Sequence, residues 1–175
     1  MYMDRRRTQA ERRADTRARL LAAARRAFAE RGYEGASVDY VGDLAGCTKG
    51  AVYDHFESKH GLFLALLDQH FAHRLEQAER VGGRPSASMP FDREFSLVFL
   101  EFVLAAARDE QLRSMLAERL KRLRSATGKR LGDRRLAAVA GALANGASIE
   151  ALIFGEKEGS ATFDAAVARV LQATR

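Results

Sequence analysis

The sequence predicts an all-α fold, and three observations carry that prediction. Only two prolines occur in 175 residues. Apolar residues recur at three- and four-residue spacing almost throughout. Serines, threonines and aspartates placed to cap helices alternate with glycines placed to stop them. With 47% hydrophobic residues, the chain is long enough to bury a substantial core and too apolar to be mostly disordered. Two domains are expected, an N-terminal arm and three-helix head at 1–57 and a helical body at 58–175, with a linker at about 81–90 inside the second.

The elements follow in order. After a basic arm (Met1 to Arg13), Asp15 or Thr16 is placed to cap a helix whose apolar face is Leu20, Leu21, Ala24, Ala27 and Phe28, with Gly32 placed to stop it. Ser37 caps a short helix with Val38, Val41, Leu44 and Ala45 inward. Gly46-Cys47 makes a turn, and Thr48 caps another short helix ending near His55 or Phe56. Ser58 caps a longer helix with Leu62, Phe63, Leu66, Leu67, Phe71 and Leu75 on its apolar side. Val81 to Pro90 is the clear linker, and Pro90 suits the first turn of a new helix. From Phe95 to Ala107 only Ser96 and Glu101 are polar, so this helix is expected to be surrounded by others. Asp109 caps the next, with Leu112, Met115, Leu116, Leu120 and Leu123 inward, and Gly128 to Asp133 reads as a break. Arg134 to Phe154 is a helix rich in Ala and Gly, ended by Gly155; Thr162 to about Ala173 is the last.

Charge and cysteine count narrow the function classes. The formal net charge is +6, and residues 1–31 hold ten arginines against Asp4, Glu11, Asp15 and Glu30. Such a local excess suits a polyanionic partner, nucleic acid ahead of an anionic membrane, or a solvated arm. The lone Cys47 cannot form an internal disulfide or by itself build a cysteine-ligated zinc site, and is read as packing. No uninterrupted apolar run approaches the ~20 residues of a membrane span, and the N-terminus lacks the apolar segment of a signal peptide. The expectation is a soluble cytoplasmic protein with no membrane partner. G-x-S-x-G, Walker-type, dinucleotide and His-Glu-x-x-His patterns are all missing, so no enzyme is expected. His70 and His73 have a spacing compatible with metal ligation but no evident third ligand, so neither metal nor cofactor is expected.

The stretch from Ser37 to Phe56 carries the functional signal. Two short helices joined by a glycine-containing turn follow the helix-turn-helix plan, whose second helix can enter the major groove of DNA. Ala45 is small enough for the helices to approach, Gly46 can take the positive φ of the turn, and Cys47 plugs the angle. Gly50 and Ala51 keep the leading edge of the second helix slim. Ser37 and Thr48 sit at helix N-termini, where backbone N–H groups favour phosphate.

Leu20-Leu21-Ala22-Ala23-Ala24, Phe28-Ala29-Glu30-Arg31-Gly32-Tyr33, Ser37-Val38, Leu44-Ala45-Gly46, Thr48-Lys49-Gly50, Val52-Tyr53, His55-Phe56, Ser58-Lys59 and Leu62-Phe63 follow one another over four predicted helices. By these residues the stretch from Thr16 to about Asp68 resembles the DNA-binding domain of the tetracycline-repressor-like (TetR) family of bacterial transcriptional regulators. The resemblance covers roughly a third of the chain; beyond residue 80 it rests on helix count and order. It implies that Ser37, Thr48, Tyr53, His55 and Lys59 contact phosphates. Lys49, Gly50 and Ala51 would form the leading edge of the recognition helix, with Lys49 donating to guanine O6 and N7. Two positions depart from the family pattern. Asp54 either accepts from cytosine N4 or pairs with a neighbouring cation, and Tyr40 either packs or hydrogen-bonds a phosphate.

For the body, the resemblance implies an effector-binding and dimerisation domain. Phe91, Phe95, Phe99 and Phe102 share one side of a nearly all-apolar helix, as core or as pocket lining; Phe99, Glu101 and Phe102 are the candidate ligand contacts. Glu101 is solvent-facing, paired with Arg119 or Arg122, or an anchor for a cationic ligand. Ala137, Ala140, Gly141, Ala144 and Ala147 allow close helix approach. Leu143, Ile149, Leu152, Ile153, Phe163, Val167, Val170 and Leu171 would complete a homodimer surface, a four-helix bundle across a two-fold axis, or else close the monomer's own core. The expected function is a sequence-specific transcriptional regulator of double-stranded DNA with a two-fold symmetric operator, a repressor released by a small-molecule effector. The alternative is a ligand-independent helical DNA-binding or interaction module.

Overall fold

The computed structural model describes residues 8–80 and 92–173, with eight helices and no strand among them. The start of the basic arm, the 81–90 linker with Pro90, and Phe91 lie outside the described residues, as do the side chains of Leu75, Val170 and Leu171. Two compact units divide between Leu67 and Asp68.

In the first unit, α1 spans Gln9–Gly35 and begins well upstream of Asp15 and Thr16. Thr8 is the cap: its Oγ1 accepts from Glu11 N at 3.2 Å, and the Glu11 carboxylate accepts from Thr8 N at 2.7 Å. This reciprocal box satisfies two otherwise orphaned donors, so the expected basic arm is helical from Gln9 onward. Asp15 instead lies 3.8 Å from Arg19, one turn along. Gly32 does interrupt the helix, at φ 68°, before a last turn.

Helices α2 (Val38–Ala45) and α3 (Lys49–Phe56) start where expected, because Ser37 Oγ accepts from Tyr40 N and Thr48 Oγ1 from Ala51 N. The fourth helix, α4, spans Lys59–Arg80, with Ser58 Oγ accepting from Gly61 N at 2.9 Å. Leu20, Leu21, Phe28, Val41, Val52, Leu62, Phe63 and Leu67 form the core of this unit. Phe63 meets Phe28 and Tyr33 edge-on, both at 5.4 Å. The buried Tyr33 hydroxyl is hydrogen-bonded to His60 Nδ1, which locks α4 onto the end of α1.

The second unit contains α5 (Arg93–Arg108), α6 (Glu110–Leu131), α7 (Arg134–Phe154) and α8 (Glu156–Ala173). Helix α5 starts at an Asp92 cap. It is not enclosed as its composition predicted: Phe95, Val98, Phe102 and Ala106 are buried, while Leu97 and Leu104 lie on an exposed side. The break expected from Gly128 narrows to Gly132, at φ 70°; Gly128 is buried inside α6. An interior glycine costs only ~1 kcal/mol of helix propensity, which packing overrides. The bounds of α7 match expectation, set by the Asp133 cap and by Gly155 at φ 101°. Helix α8 begins well before Thr162 because Gly159 packs against α7: a Cβ there would sit 2.7 Å from Ala147 O.

Candidate nucleic-acid interface and ligand cavity

The turn between α2 and α3 follows from two glycines. Gly46 is left-handed at φ 61°, and Cys47 N donates to Gly42 O at 2.9 Å, closing the end of α2. The tightest approach is at Gly42, where a Cβ would stand 3.0 Å from Cys47 O, and not at Ala45, which is half-buried. Ala45 contributes its carbonyl, which accepts from Arg19 and from Cys47 Sγ. Cys47 is a free, half-buried thiol at the turn.

Helix α3 has two faces. Val52 and Phe56 anchor it in the core, while Lys49, Gly50, Tyr53 and Asp54 face outward and Ala51 is half-buried. Tyr53 is 42% exposed, a ring presented to solvent. Ser37 and Thr48 are exposed; each spends an oxygen lone pair on a helix cap and keeps its O–H for an incoming acceptor. Lys49 Nζ lies 2.8 Å from the Asp39 carboxylate, and this hydrogen bond raises its pKa. Asp39 therefore ties the leading edge of α3 back to α2 through an exposed pair.

Other positions are committed differently from what sequence suggested. The Tyr40 hydroxyl donates to Glu30, which raises its pKa, and the Arg31 guanidinium lies over its ring at 3.4 Å. Tyr40 packs α2 against α1, the first of its two expected roles. Lys59 Nζ donates to the carbonyls of Tyr33 (2.9 Å) and Glu34 (3.2 Å) and lies over the Tyr33 ring. It is a C-terminal cap for α1, so any phosphate contact must share it. His55 is half-buried, and its pKa is lowered by burial, then by the charges of Arg13 and Arg17.

Sequence reading counted those two arginines in the basic excess of residues 1–31 but did not place them beside α3. Arg13 donates to the carbonyl of Asp54 at 3.3 Å, and Arg17 lies over the Phe56 ring at 5.0 Å. Both stand beside the C-terminal end of α3 because α1 starts at Thr8. The signal was present in Thr8-x-x-Glu11, a capping-box pattern.

The second unit holds a half-open cavity of about 420 Å³. Of the three candidate ligand contacts only Phe99 lines it; Phe102 is fully buried in the core and Glu101 is on the exposed side of α5. Arg119 pairs with Asp68, not with Glu101. His70 stacks on Phe95 inside the cavity, while His73 is hydrogen-bonded to Gln77, so the two histidines serve different neighbours.

The candidate dimer residues separate into groups. Ile149, which also borders the cavity, and Ile153 lie on an exposed stripe of α7 that also holds Val139, Ala142 and Gly146. Leu143 and Leu152 are half-buried, Phe163 lines the cavity, and Val167 is buried. Ala147 and Ala151 are used within the chain, against Gly159. The segment Arg135–Phe154 is long and apolar enough to cross a membrane by length and composition alone. The expectation from sequence concerns uninterrupted runs, and Asn145, Ser148 and Glu150 interrupt this one.

A short helix presented outward by a glycine turn, backed by two helices and flanked by arginines, defines the helix-turn-helix class of proteins. Residues 20–66, about a quarter of the chain, match the family described as bacterial regulatory proteins, tetR family. The HTH-type transcriptional repressor AcnR of Corynebacterium glutamicum is 41% identical over 68 residues, 39% of this chain and 36% of AcnR. The HTH-type transcriptional regulator CymR of Pseudomonas putida is 33% identical over 132 residues, 68% of this chain and 64% of CymR. The chain thus spans about a third of the length of AcnR and just under two thirds of CymR. The crystal structure of a transcriptional regulator from Rhodococcus sp. Rha1 superposes with a TM-score of 0.65 at 26% identity, covering 90% of this chain and 96% of that one.

Proposed function

We propose that this chain is a sequence-specific DNA-binding transcriptional regulator that acts in the cytoplasm as a homodimer, and that a small molecule releases it from its operator. The observation that carries the reading is the outward face of α3, with Lys49, Gly50 and Tyr53 exposed on a helix held from behind by Val52 and Phe56. Residues 1–57 would hold the DNA-binding function and 58–175 the effector and dimer functions.

In this reading Lys49 leaves Asp39 to donate to guanine, and Ser37, Thr48 and Tyr53 donate to phosphates. Arg13 and Arg17 add cationic charge beside the C-terminal end of α3, where their fields also act on His55. One short recognition helix touches few base pairs, so two copies on half-sites about one helical turn apart supply specificity. The exposed apolar stripe of α7 supports that pairing: a face with Ile153 67% exposed is covered when a second α7 packs on it. The cavity supports ligand control over the ligand-independent alternative, which gives that space no role. A ligand that fits only when α4 is displaced would weaken DNA binding by its preference for that state.

Selection of duplexes from a random pool by the purified full chain tests this reading. Enrichment of a two-fold symmetric sequence is expected; a pool that stays random contradicts it.

A further inference from the structure

We propose that Asp39 is a positioning residue that sets sequence specificity: its pairing with Lys49 withholds that lysine from phosphates and yields it to a base edge with two acceptors. The inference rests on the reading of α3 as a DNA-recognition helix and adds the residue that decides what Lys49 binds.

The placement comes from two helix starts. Asp39 is the second residue of α2 and Lys49 the first of α3, and across the turn at Gly46 Lys49 Nζ donates to Asp39 Oδ2 at 2.8 Å. Lys49 is the only lysine or arginine in α3. Neither helix needs the pair in order to begin, because Ser37 caps α2 and Thr48 caps α3. Nor is the pair buried: the side chains are 54% and 59% exposed, and ion pairs so exposed add little to stability. The one further structural benefit of an acid at this position is its place in the first turn of α2, where the helix dipole favours negative charge. An exposed bond that holds weakly is easily exchanged for another.

What it is exchanged for decides specificity. An exposed lysine beside DNA goes to phosphate by default, since that attraction is the same for every sequence. Asp39 removes the default. Ammonium and carboxylate together carry no net charge, so a duplex of the wrong sequence gains no counterion release from Lys49. Trading Asp39 for a phosphate oxygen replaces one anionic acceptor with another and leaves the freed carboxylate facing the DNA backbone. Trading it for guanine O6 and N7 replaces one hydrogen bond with two, which an ammonium with three donors can supply. Only the second exchange gains a bond. Asp39 thus acts by making the wrong partner unrewarding.

The test is anisotropy of the full chain against its selected duplex and a scrambled duplex of the same composition, each across a salt titration. Asp39→Asn frees Lys49 for phosphate, so binding to the scrambled duplex should steepen in log–log slope by about 0.9 per bound copy. Its gain over the native chain should grow roughly threefold per copy as salt falls from about 200 to about 50 mM. Affinity for the selected duplex should rise less, so the ratio between the two duplexes falls. Asp39→Glu, which keeps the charge, should restore both ratio and slope. In a Lys49→Ala background, Asp39→Asn should leave the scrambled-duplex slope unchanged, because no ammonium remains to be freed. The same steepening in that background would mean plain repulsion by Asp39 and overturns the proposal. So does an Asp39→Asn variant that loses affinity for both duplexes in proportion to lost helical content, which marks a merely structural acid. Native binding with slope and ratio unmoved by Asp39→Asn overturns this inference alone, whereas no duplex binding by the native chain overturns the recognition-helix reading and this inference with it.

Discussion

At the scale of single residues, Gly61 shows how little room the head leaves. A Cβ there would fall well inside van der Waals contact with the Phe56 carbonyl oxygen, a backbone atom that cannot swing away. Gly61→Ala should lower stability to urea by about 2 kcal/mol. Gly141→Ala, in α7 with nothing within 4 Å of the new Cβ, should raise it by roughly 0.5 kcal/mol. Equal effects would remove the close approach as the cause. His55 gives a pH prediction with a definite sign. Its pKa in the fold lies below the ordinary 6.5, chiefly through burial. As pH falls below 6.5, the unfolded chain takes up a proton that the folded chain resists, so stability falls until the folded form is protonated too. His55→Gln should flatten that part of the melting-temperature profile, and an unchanged profile would show that His55 does not contribute to it. Ser37, Thr48 and Gly46 were legible from sequence because caps and positive-φ turns act over three or four residues. Lys59 and Tyr40 were not, because the carbonyls and ions they meet come from another helix.

Among the elements, α7 shows both what sequence carries and what it leaves open. Its limits were legible because Asp133 and Gly155 act locally, whereas the start of α1 was passed over because Thr8 and Glu11 lie among arginines that read as an arm. Which side of α7 faces outward was not legible. Small and large apolar residues surround the helix, and the covered side is fixed by packing against α5, α6 and α8, including Gly159 on Ala147 and Ala151. The uncovered side, Val139, Ala142, Gly146, Ile149 and Ile153, has the periodicity of a helix–helix seam. Ile153→Asp should therefore yield a folded monomer by sedimentation equilibrium with unchanged helical content. Val167→Asp, which places a charge in the core of its own unit, should instead abolish the fold. If Ile153→Asp remains dimeric, the stripe is not the interface.

For the whole molecule, part of the positive charge of the N-terminal region acquires a location: Arg13 and Arg17 stand on helix α1 beside the C-terminal end of α3. The helix-turn-helix was legible because its two caps, its turn glycine and its apolar anchors all fall within twenty residues. The cavity was only partly so. Phe99 follows from the periodicity of α5, but Arg74 and His70 reach the cavity from α4 across a gap in sequence that no local pattern spans. Base reading and phosphate contact should separate on mutation. Lys49→Ala should narrow the gap between operator and scrambled duplex by about 1–3 kcal/mol, measured by competition anisotropy, and an unchanged gap would remove Lys49 as a base reader. The most direct measurement is the affinity of the purified chain for duplex DNA across a salt titration. Two copies neutralising about eight phosphates give a log–log slope near −7; a slope near zero, or no duplex binding at low salt, contradicts the account.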